Sequence, residues 1–333
     1  GGLGTATIFG CFFFAGTSGS SSADTITIGR IMIPAMRNRG YDASYAASLA
    51  ASGGILGVII PPSLIFIIYG ISTSTSIGEL FIAGIIPGLL IALTLSISNS
   101  LVCRYSTWAL VDKKLFSFRK LLSALWHAKW GLGAPLIILG GIYGGIFTPT
   151  EAAAVAVFYV FLVETVINKE LGIRDIISSL TRAAIVTGIL GPIIAFSILF
   201  GETLAILRVP GNVVNFFVSM SVGHTESVFM IIFVLLIMGC ILEPIAAILV
   251  IMPILLPIGM ELGFDPVHFG VFVVSTLSVG FITPPVGINL FAASAVSGQP
   301  FLDIASKALP AFVALIVTVS AIAFLPDLIL WFR

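Results

Sequence analysis

The chain has 333 residues, of which 58% are hydrophobic and 9% are charged, and its mean hydropathy is +1.18. Soluble domains carry about 25% charged residues, so this composition excludes a soluble globular protein and predicts a chain that lies mostly within a bilayer. Fifteen basic and fifteen acidic residues give a formal charge of zero, which excludes a basic nucleic-acid-binding protein and an acidic disordered one.

Two kinds of apolar segment are found along the chain. A helix needs about 20 apolar residues to cross a bilayer, and six segments approach or reach this length: 85–103, 130–147, 152–168, 183–201, 227–242 and 309–326. Shorter pieces interrupted by Gly, Pro or Ser are 3–16, 25–36, 44–56, 64–71, 244–259, 267–279 and 287–296. Because lipid cannot satisfy bare backbone groups, the shorter pieces are predicted to form re-entrant hairpins or unwound helices that face protein or a wet cavity.

An internal repeat relates the two ends of the chain. A shift of 223 positions aligns Gly16–Pro87 with Gly239–Pro310 without a gap. The identities are concentrated at glycine and proline, the residues that decide backbone shape. They include Gly40 with Gly263, Gly57 with Gly280, and Pro61-Pro62 with Pro284-Pro285.

The two copies of the repeat differ in charge. Residues 36–42 carry two arginines, whereas the matching residues 259–265 carry no Lys or Arg. Since basic loops stay in the cytoplasm, the two copies are predicted to lie upside down relative to one another. The basic stretch Arg104–Lys129, with Trp126 and Trp130 as interfacial anchors, is predicted to be cytoplasmic as well. Paired inverted repeats with broken helices are typical of secondary transporters.

Each copy is predicted to contain a hairpin tip and a broken helix. The first tip is the Ser/Gly-rich stretch 16–22 between two apolar arms, and the second lies at 239–244. The helices are broken within 51–63 and 275–287, where two consecutive prolines remove donors and free the carbonyls upstream. Such carbonyls carry partial negative charge, and together with hairpin oxygens they suit a hard cation such as sodium.

A few polar side chains lie within these apolar segments. Arg30, in the second arm of the first hairpin, either holds a substrate carboxylate or reaches the cytoplasmic interface. Asp24 either pairs with Arg30 or orients the tip, and Glu243 beside the second tip is either functional or structural. Asn289 and Ser294, which follow the second break, either contact substrate or pack between helices.

The predicted features divide the chain into three parts. Residues 1–100 form the first repeat, with a hairpin, a broken helix and a following helix. Residues 101–205 contain the basic loop and connecting helices, where Glu151 is predicted to stabilise the start of a helix. Residues 206–333 form the second repeat.

Several long motifs together resemble one known family. They are Ser18–Ser21, Ile33–Met36, Gly40-Tyr41, Gly57–Ser63, Gly141–Ala156 and Gly280–Gly287. With these motifs the whole chain resembles the large membrane (M) subunit of the tripartite ATP-independent periplasmic (TRAP) transporters. Family members have several more N-terminal helices, and this sequence begins Gly-Gly-Leu-Gly, so we expect it to start partway through a bundle.

The resemblance implies an all-α polytopic membrane protein of the bacterial inner membrane with an elevator-type ion transporter fold. It implies a transporter rather than an enzyme, in which sodium drives uptake of an organic acid of the dicarboxylate or sialic acid class. The implied partners are a small membrane (Q) subunit, separate or fused, a periplasmic substrate-binding protein and the lipid bilayer. No organic cofactor is implied.

The resemblance also assigns residues to sites. One sodium site joins the first tip to the first break through Ser18, Gly57, Ile60 and Pro62, and a second joins Gly239 to Gly280, Thr283 and Val286. Most of these ligands are backbone carbonyls. The substrate is expected between the tips, near Ser20, Ser21, Thr276 and Arg30.

Three other functions compete with sodium-coupled transport. A two-component exchanger that needs no binding protein differs only in its dependence on the soluble partner. A membrane-embedded enzyme lacks support, since the sequence shows no Ser/His pair, HExxH motif or paired intramembrane aspartates. A passive channel would not need two matched broken helices.

Overall fold

The computed structural model describes residues 1–106, 118–209, 211–212 and 223–333. Part of the predicted basic loop, residues 107–117, lies outside these ranges. All regular elements of the described residues are helical, in agreement with the predicted all-α fold. Contacts divide the chain into two compact units, 1–111 with 200–333 and 112–199.

The first copy of the repeat contains five α-helices. They are α1 (Gly2–Ser18), α2 (Ser21–Arg37), α3 (Ala43–Gly54), α4 (Leu64–Thr73) and α5 (Ile77–Tyr105). A short 3-10 turn, Ile55–Val58, tightens the end of α3 before the proline pair. Helix α1 and helix α2 pack against each other and against α3, so the predicted hairpin stands directly beside the predicted broken helix.

The middle of the chain contributes three helices. They are α6 (Phe118–Tyr143), α7 (Pro149–Leu162), which continues into a π-turn at Val163–Ile167, and α8 (Ile173–Ile206). Glu151 stabilises the start of α7 as predicted, since it forms a capping box in which its Oε2 accepts from the Thr148 amide over 2.8 Å.

The second copy of the repeat follows the same order. Its helices are α9 (His224–Ile241), α10 (Pro244–Glu261), α11 (Pro266–Gly280), α12 (Ile288–Ser297) and α13 (Phe301–Phe324), with a short final helix α14 (Pro326–Ile329). Helix α9 packs on α11, and α13 packs on both α3 and α5.

The backbone has matching features at equivalent positions of the two copies of the repeat. Gly40 and Gly263, which lie 223 residues apart, have the same left-handed φ of 82°. Asp42 caps α3 and Asp265 caps α11. The Pro61-Pro62 and Pro284-Pro285 peptide bonds are both cis. The two copies therefore share backbone conformation at the positions where their sequences agree.

Two predicted segments differ from the observed helices. Within the described residues, six helices are long and apolar enough to cross a membrane: Ile77–Tyr105, Pro149–Ile167, Ile173–Leu204, His224–Ile241, Pro244–Glu261 and Phe301–Phe324. Segment 130–147 was predicted to be one long span, but its helix ends at Tyr143, because Gly145 turns the chain at a φ of 66°. Segment 244–259 is longer than predicted, since its helix runs on to Glu261 and accommodates two internal prolines.

The start of each broken helix is anchored by an equivalent hydrogen bond. Tyr45, in the first turn of α3, donates its hydroxyl to Asn99 Oδ1 on α5 over 3.1 Å. At the positions 223 residues further on, His268 Nε2 lies 2.7 Å from the Ile322 carbonyl oxygen on α13. Since a carbonyl only accepts, the ring nitrogen must carry the proton. Each broken helix is thus tied at its start to the long helix that follows it.

We expect Asn99→Leu to destabilise the protein. Asn99 is buried, and its Nδ2 donates to the Gly1 carbonyl over 2.8 Å and to Thr5 Oγ1 over 3.1 Å. Leaving buried partners unsatisfied costs about 1–3 kcal/mol, which is measured as a lower apparent melting temperature of the purified protein. The control is Ser100→Ala on the same helix, where an exposed hydroxyl bonds only to the Ser96 carbonyl. Equal melting temperatures for both variants would contradict the anchoring role.

Candidate functional site

The first hairpin tip is built from a left-handed glycine and a cap. Gly19 ends α1 with a φ of 59°, and Ser20 caps α2 by accepting from the Ala23 amide over 3.5 Å. The Ser20 amide donates to Ser18 Oγ over 3.2 Å, and Ser18 in turn donates to the Asp24 carboxylate. Asp24 therefore orients the tip, which was one of the two roles predicted for it.

The tip packs directly on the first break. A side-chain atom added at Gly19 would lie 3.3 Å from the Pro62 carbonyl oxygen. One added at Gly57 would lie 2.6 Å from the Ser20 carbonyl oxygen and 2.8 Å from Asp24 Oδ2. Glycine is required at Gly57 because two oxygens of the tip approach its Cα so closely.

The proline pair explains which carbonyls the break leaves open. In a continuous helix the amides of residues 61 and 62 would bond to the carbonyls of Gly57 and Val58, but Pro61 and Pro62 have no N–H. The Val58 carbonyl accepts the Ser63 hydroxyl at 2.5 Å instead. The Gly57 carbonyl loses its α-helical donor at the point where the tip oxygens converge.

One oxygen of the first tip has no hydrogen-bond partner. Asp24 is fully buried, and its Oδ2 has no partner among the residues that the structure describes. Ser18 lies beside the same carboxylate through its contact with Oδ1. A buried carboxylate oxygen is costly unless it is paired with a cation or a donor. Carboxylate, hydroxyl and carbonyl oxygens are ligands for a hard cation, so the residues present fit sodium.

The second tip meets the second break by backbone contact. A side-chain atom added at Gly280 would lie 2.6 Å from the Gly239 carbonyl carbon and 2.8 Å from the Cys240 amide nitrogen. Past the proline pair, Gly287 has a φ of 53° and donates its amide to the Cys240 carbonyl over 3.1 Å. Within the break, the Thr283 amide donates to the Gly280 carbonyl over 2.9 Å. The second tip is therefore held against its break by backbone contacts at glycines, whereas the first tip also places the Asp24 carboxylate there.

Glu243 is a helix cap. Its Oε2 accepts from the amides of Ile245 over 3.0 Å and Ala246 over 3.2 Å at the start of α10. Glu243 occupies the position equivalent to Ser20, which caps α2 in the first copy. The structure thus gives this costly charge a structural role at the second tip.

A cavity of about 110 Å³ lies between the two tips. It is lined by Gly19, Ser20, Ser21, Ser22, Val58, Leu64, Ile65, Glu243, Pro244, Ile245, Phe281 and Ile288. The polar part of this lining comes from the two tips, and the apolar part comes from the segments around the two breaks and from Pro244 and Ile245 at the start of α10. The only ionisable side chain in the lining is that of Glu243.

The remaining predicted site residues lie in different surroundings. Ser20 and Ser21 line the cavity, whereas Arg30 is exposed along α2 and Thr276 is fully buried with its hydroxyl bonded to the Phe272 carbonyl over 2.8 Å. Neither Arg30 nor Thr276 lines the cavity. Ile60 and Pro62 follow Gly57 around the first break, and Val286 follows Thr283 around the second.

The sequence analysis names Asp24 and Asn289 but does not predict the contacts that they make. The unpaired oxygen of Asp24 was signalled only by the cost of a carboxylate within an apolar segment. Asn289 Oδ1 accepts from Ser21 Oγ at the first tip over 2.8 Å. No sequence pattern pointed to that contact, because the two residues are 268 positions apart.

Comparisons with known proteins give consistent matches. The family model for the tripartite ATP-independent periplasmic transporter, DctM component, matches residues 1–328. The chain is 39% identical to an isethionate TRAP transporter permease protein of Oleidesulfovibrio alaskensis, over 100% of this chain and 52% of that protein. It is 38% identical to a C4-dicarboxylate TRAP transporter large permease of Pseudomonas aeruginosa, over 98% of this chain and 76% of that protein. It is 34% identical to a sialic acid TRAP transporter large permease of Vibrio cholerae, again over 98% and 76%.

We predict that Gly57→Val and Gly280→Val each abolish transport while leaving membrane insertion intact. The new side chain would collide with backbone atoms of the adjacent tip at 2.6 Å in both cases, and backbone cannot move aside as a flexible side chain does. Uptake and membrane content are measured together. The control is Gly188→Val on α8, where an added side-chain atom meets nothing within 4 Å. Normal uptake by both site variants would refute the assignment of these contacts.

Proposed function

The chain belongs to the DctM component family of the tripartite ATP-independent periplasmic transporters, and we propose that it imports an organic anion by coupling it to sodium. As a member of this family it is a multi-pass inner-membrane transport protein, not an enzyme. The observation that carries the proposal is the pairing of each hairpin tip with a diproline break around one shared cavity.

The first sodium site is proposed where the first tip meets the first break. Its ligands are Ser18 and the carbonyls of Gly57, Ile60 and Pro62, to which we add the unpaired Asp24 Oδ2. The buried, unpartnered state of that oxygen supports this assignment. The charge of sodium offsets the cost of burying the carboxylate, and the ion holds the tip against the opened helix.

The second sodium site is proposed between Gly239 and the carbonyls of Gly280, Thr283 and Val286. The close approach of Gly239 to Gly280 supports it. This site lacks a carboxylate, so its ligands are neutral oxygens, which bind sodium through their dipoles. We expect it to bind sodium more weakly than the first site.

The substrate is proposed to bind in the cavity between the tips, next to Ser20 and Ser21. The printed names of the relatives include isethionate, C4-dicarboxylate and sialic acid, which share an anionic group. The amides and hydroxyls at the start of α2 are suited to such a group, since a helix N-terminus favours negative charge. Glu243 disfavours a second negative charge at the other tip.

Ion and substrate binding are coupled in this proposal through the order of the tips. Sodium between Ser18 and Gly57 orders the first tip, and an ordered tip presents its amides to the anion. Each ligand thereby lowers the ordering cost of the other, which is positive coupling. The proposed movement is of the elevator type, in which the two hairpins and the two broken helices move together, while the helix that follows each of them belongs to the scaffold.

The proposed partners are a small membrane subunit, separate or fused, and a periplasmic substrate-binding protein. Uptake is tested in proteoliposomes that contain the complete permease, with and without the soluble binding protein and with sodium replaced by choline. The proposal predicts saturable uptake that requires both the soluble binding protein and sodium. Uptake without the soluble protein identifies a two-component exchanger, and non-saturating flux without sodium identifies a channel.

We predict that Asp24→Asn raises the sodium concentration for half-maximal uptake at least about tenfold, equivalent to about 1.4 kcal/mol. The substitution keeps the shape of the side chain and removes its charge from the proposed first site. The measurement is a sodium titration of initial uptake rates. The control is Asp42→Asn, because Asp42 caps α3 by accepting from the Tyr45 amide over 2.8 Å and asparagine caps helices equally well. An unchanged sodium titration for Asp24→Asn would remove Asp24 from the site.

A further inference from the structure

Asn289 occupies an unusual place in the second broken helix. It stands in the first turn of α12, directly after the second break, and it is fully buried. Its main-chain amide donates to the Phe281 carbonyl over 3.1 Å. Phe281 is the residue that ends α11. The backbone of Asn289 is therefore tied to the break next to Gly280.

The side chain of Asn289 reaches across to the other copy of the repeat. Its Oδ1 accepts from Ser21 Oγ over 2.8 Å, and its Nδ2 donates to the Ala51 carbonyl over 2.9 Å. An amide is a donor and an acceptor at once, and Asn289 uses both functions on different elements. The equivalent residue in the first copy is Phe66, which makes no such link.

The two partners of Asn289 lie on either side of the first proposed sodium site. Ser21 follows Ser20, whose carbonyl approaches Gly57, and Ser21 itself lines the cavity. Ala51 lies on α3 upstream of the same break. A single buried side chain thus connects the tip and the helix of the first site to the backbone of the second break.

We propose that Asn289 is a positioning residue that couples the two sodium sites. This inference rests on the proposed function, since it presupposes that both sites bind sodium. An ordered first tip holds Ser21, Ser21 holds the Asn289 amide, and Asn289 holds Phe281 beside Gly280. Sodium binding at one site therefore orders the backbone of the other site and raises its affinity for sodium, so that the two ions bind cooperatively.

The effect of this coupling is reciprocal and measurable. Coupling between two sites changes each affinity by the same factor, commonly about 5- to 150-fold. Without Asn289 the two sites bind independently, so the Hill coefficient of equilibrium sodium binding falls to one or below. A side chain with a purely structural role would change the amount of folded protein and leave the shape of the sodium curve unaltered.

The test is equilibrium binding of radioactive sodium to the purified permease, titrated at saturating substrate, beside sodium-dependent uptake by the reconstituted permease with its binding protein. Asn289→Leu replaces the amide with an apolar group of similar size and removes both cross-repeat bonds. The control is Ser297→Ala on the same helix, where the hydroxyl bonds only locally, to the Ala293 carbonyl and the Gln299 amide. We expect a Hill coefficient of sodium binding above one for wild type and Ser297→Ala, and one or below for Asn289→Leu with the same number of ions bound at saturation.

The outcomes separate this inference from the proposed function. Wild-type uptake that ignores sodium overturns both. Sodium-dependent uptake together with a Hill coefficient of binding no higher than one in wild type, or an unchanged binding coefficient above one in Asn289→Leu, overturns the inference alone.

Ser21→Ala is a second variant for the case that Asn289→Leu does not insert into the membrane. It removes the hydrogen bond from Ser21 Oγ to Asn289 Oδ1 and keeps the bond from Asn289 to Ala51. A lowered Hill coefficient in Ser21→Ala supports the coupling, and an unchanged one overturns it. If both variants insert into the membrane, the variant that carries both Ser21→Ala and Asn289→Leu should have the same half-saturating sodium concentration as Asn289→Leu alone, because both substitutions break the same connection. Additive effects on half-saturating sodium contradict a shared connection.

Discussion

A carbonyl that loses its helical donor inside a bilayer must find another partner, and this constraint organises both copies of the repeat. An unsatisfied backbone group in lipid costs several kcal/mol. Pro61 and Pro284 each remove the α-helical donor of the carbonyl four residues earlier, at Gly57 and Gly280. The Gly280 carbonyl accepts from the Thr283 amide instead. In each copy a hairpin tip covers the opened segment, and glycine is present where tip and break touch. The hairpin tips therefore shield from lipid the backbone that the proline pairs leave without helical hydrogen bonds.

The two hairpin tips place different chemical groups beside their breaks. The first tip brings the buried Asp24 carboxylate, in which one oxygen accepts from Ser18 and the other has no partner in the part of the chain that the structure describes. The second tip brings only backbone, and its acidic residue Glu243 is used to cap α10. The matched fold with unequal charge is the basis for proposing two ion sites of unequal strength, and the Asn289 side chain bonds to Ser21 and Ala51 beside the first of them.

The repeat, the breaks and the tips were predictable because glycine and proline change the backbone conformation at their own positions, and such local effects can be read from the sequence. Gly40 and Gly263 show this, with the same φ at matched positions. Segment 130–147 was less predictable, since hydropathy alone does not reveal the turn at Gly145. The sequence allows two roles each for Arg30 and Asp24, because the direction of a helical side chain depends on how the helix is rotated against its neighbours. The bond from Ser21 to Asn289 depends on tertiary packing between distant segments, which no local pattern encodes.

The most direct test of the central claim is a cryo-electron microscopy map of the complete permease in lipid nanodiscs, with sodium and with choline. The account predicts, in sodium, one density peak between the first tip and Gly57 and another between Gly239 and Gly280, each surrounded by oxygen atoms. Both peaks should vanish in choline. Identical maps in the two conditions, or diproline segments that form continuous helices against lipid, would contradict it.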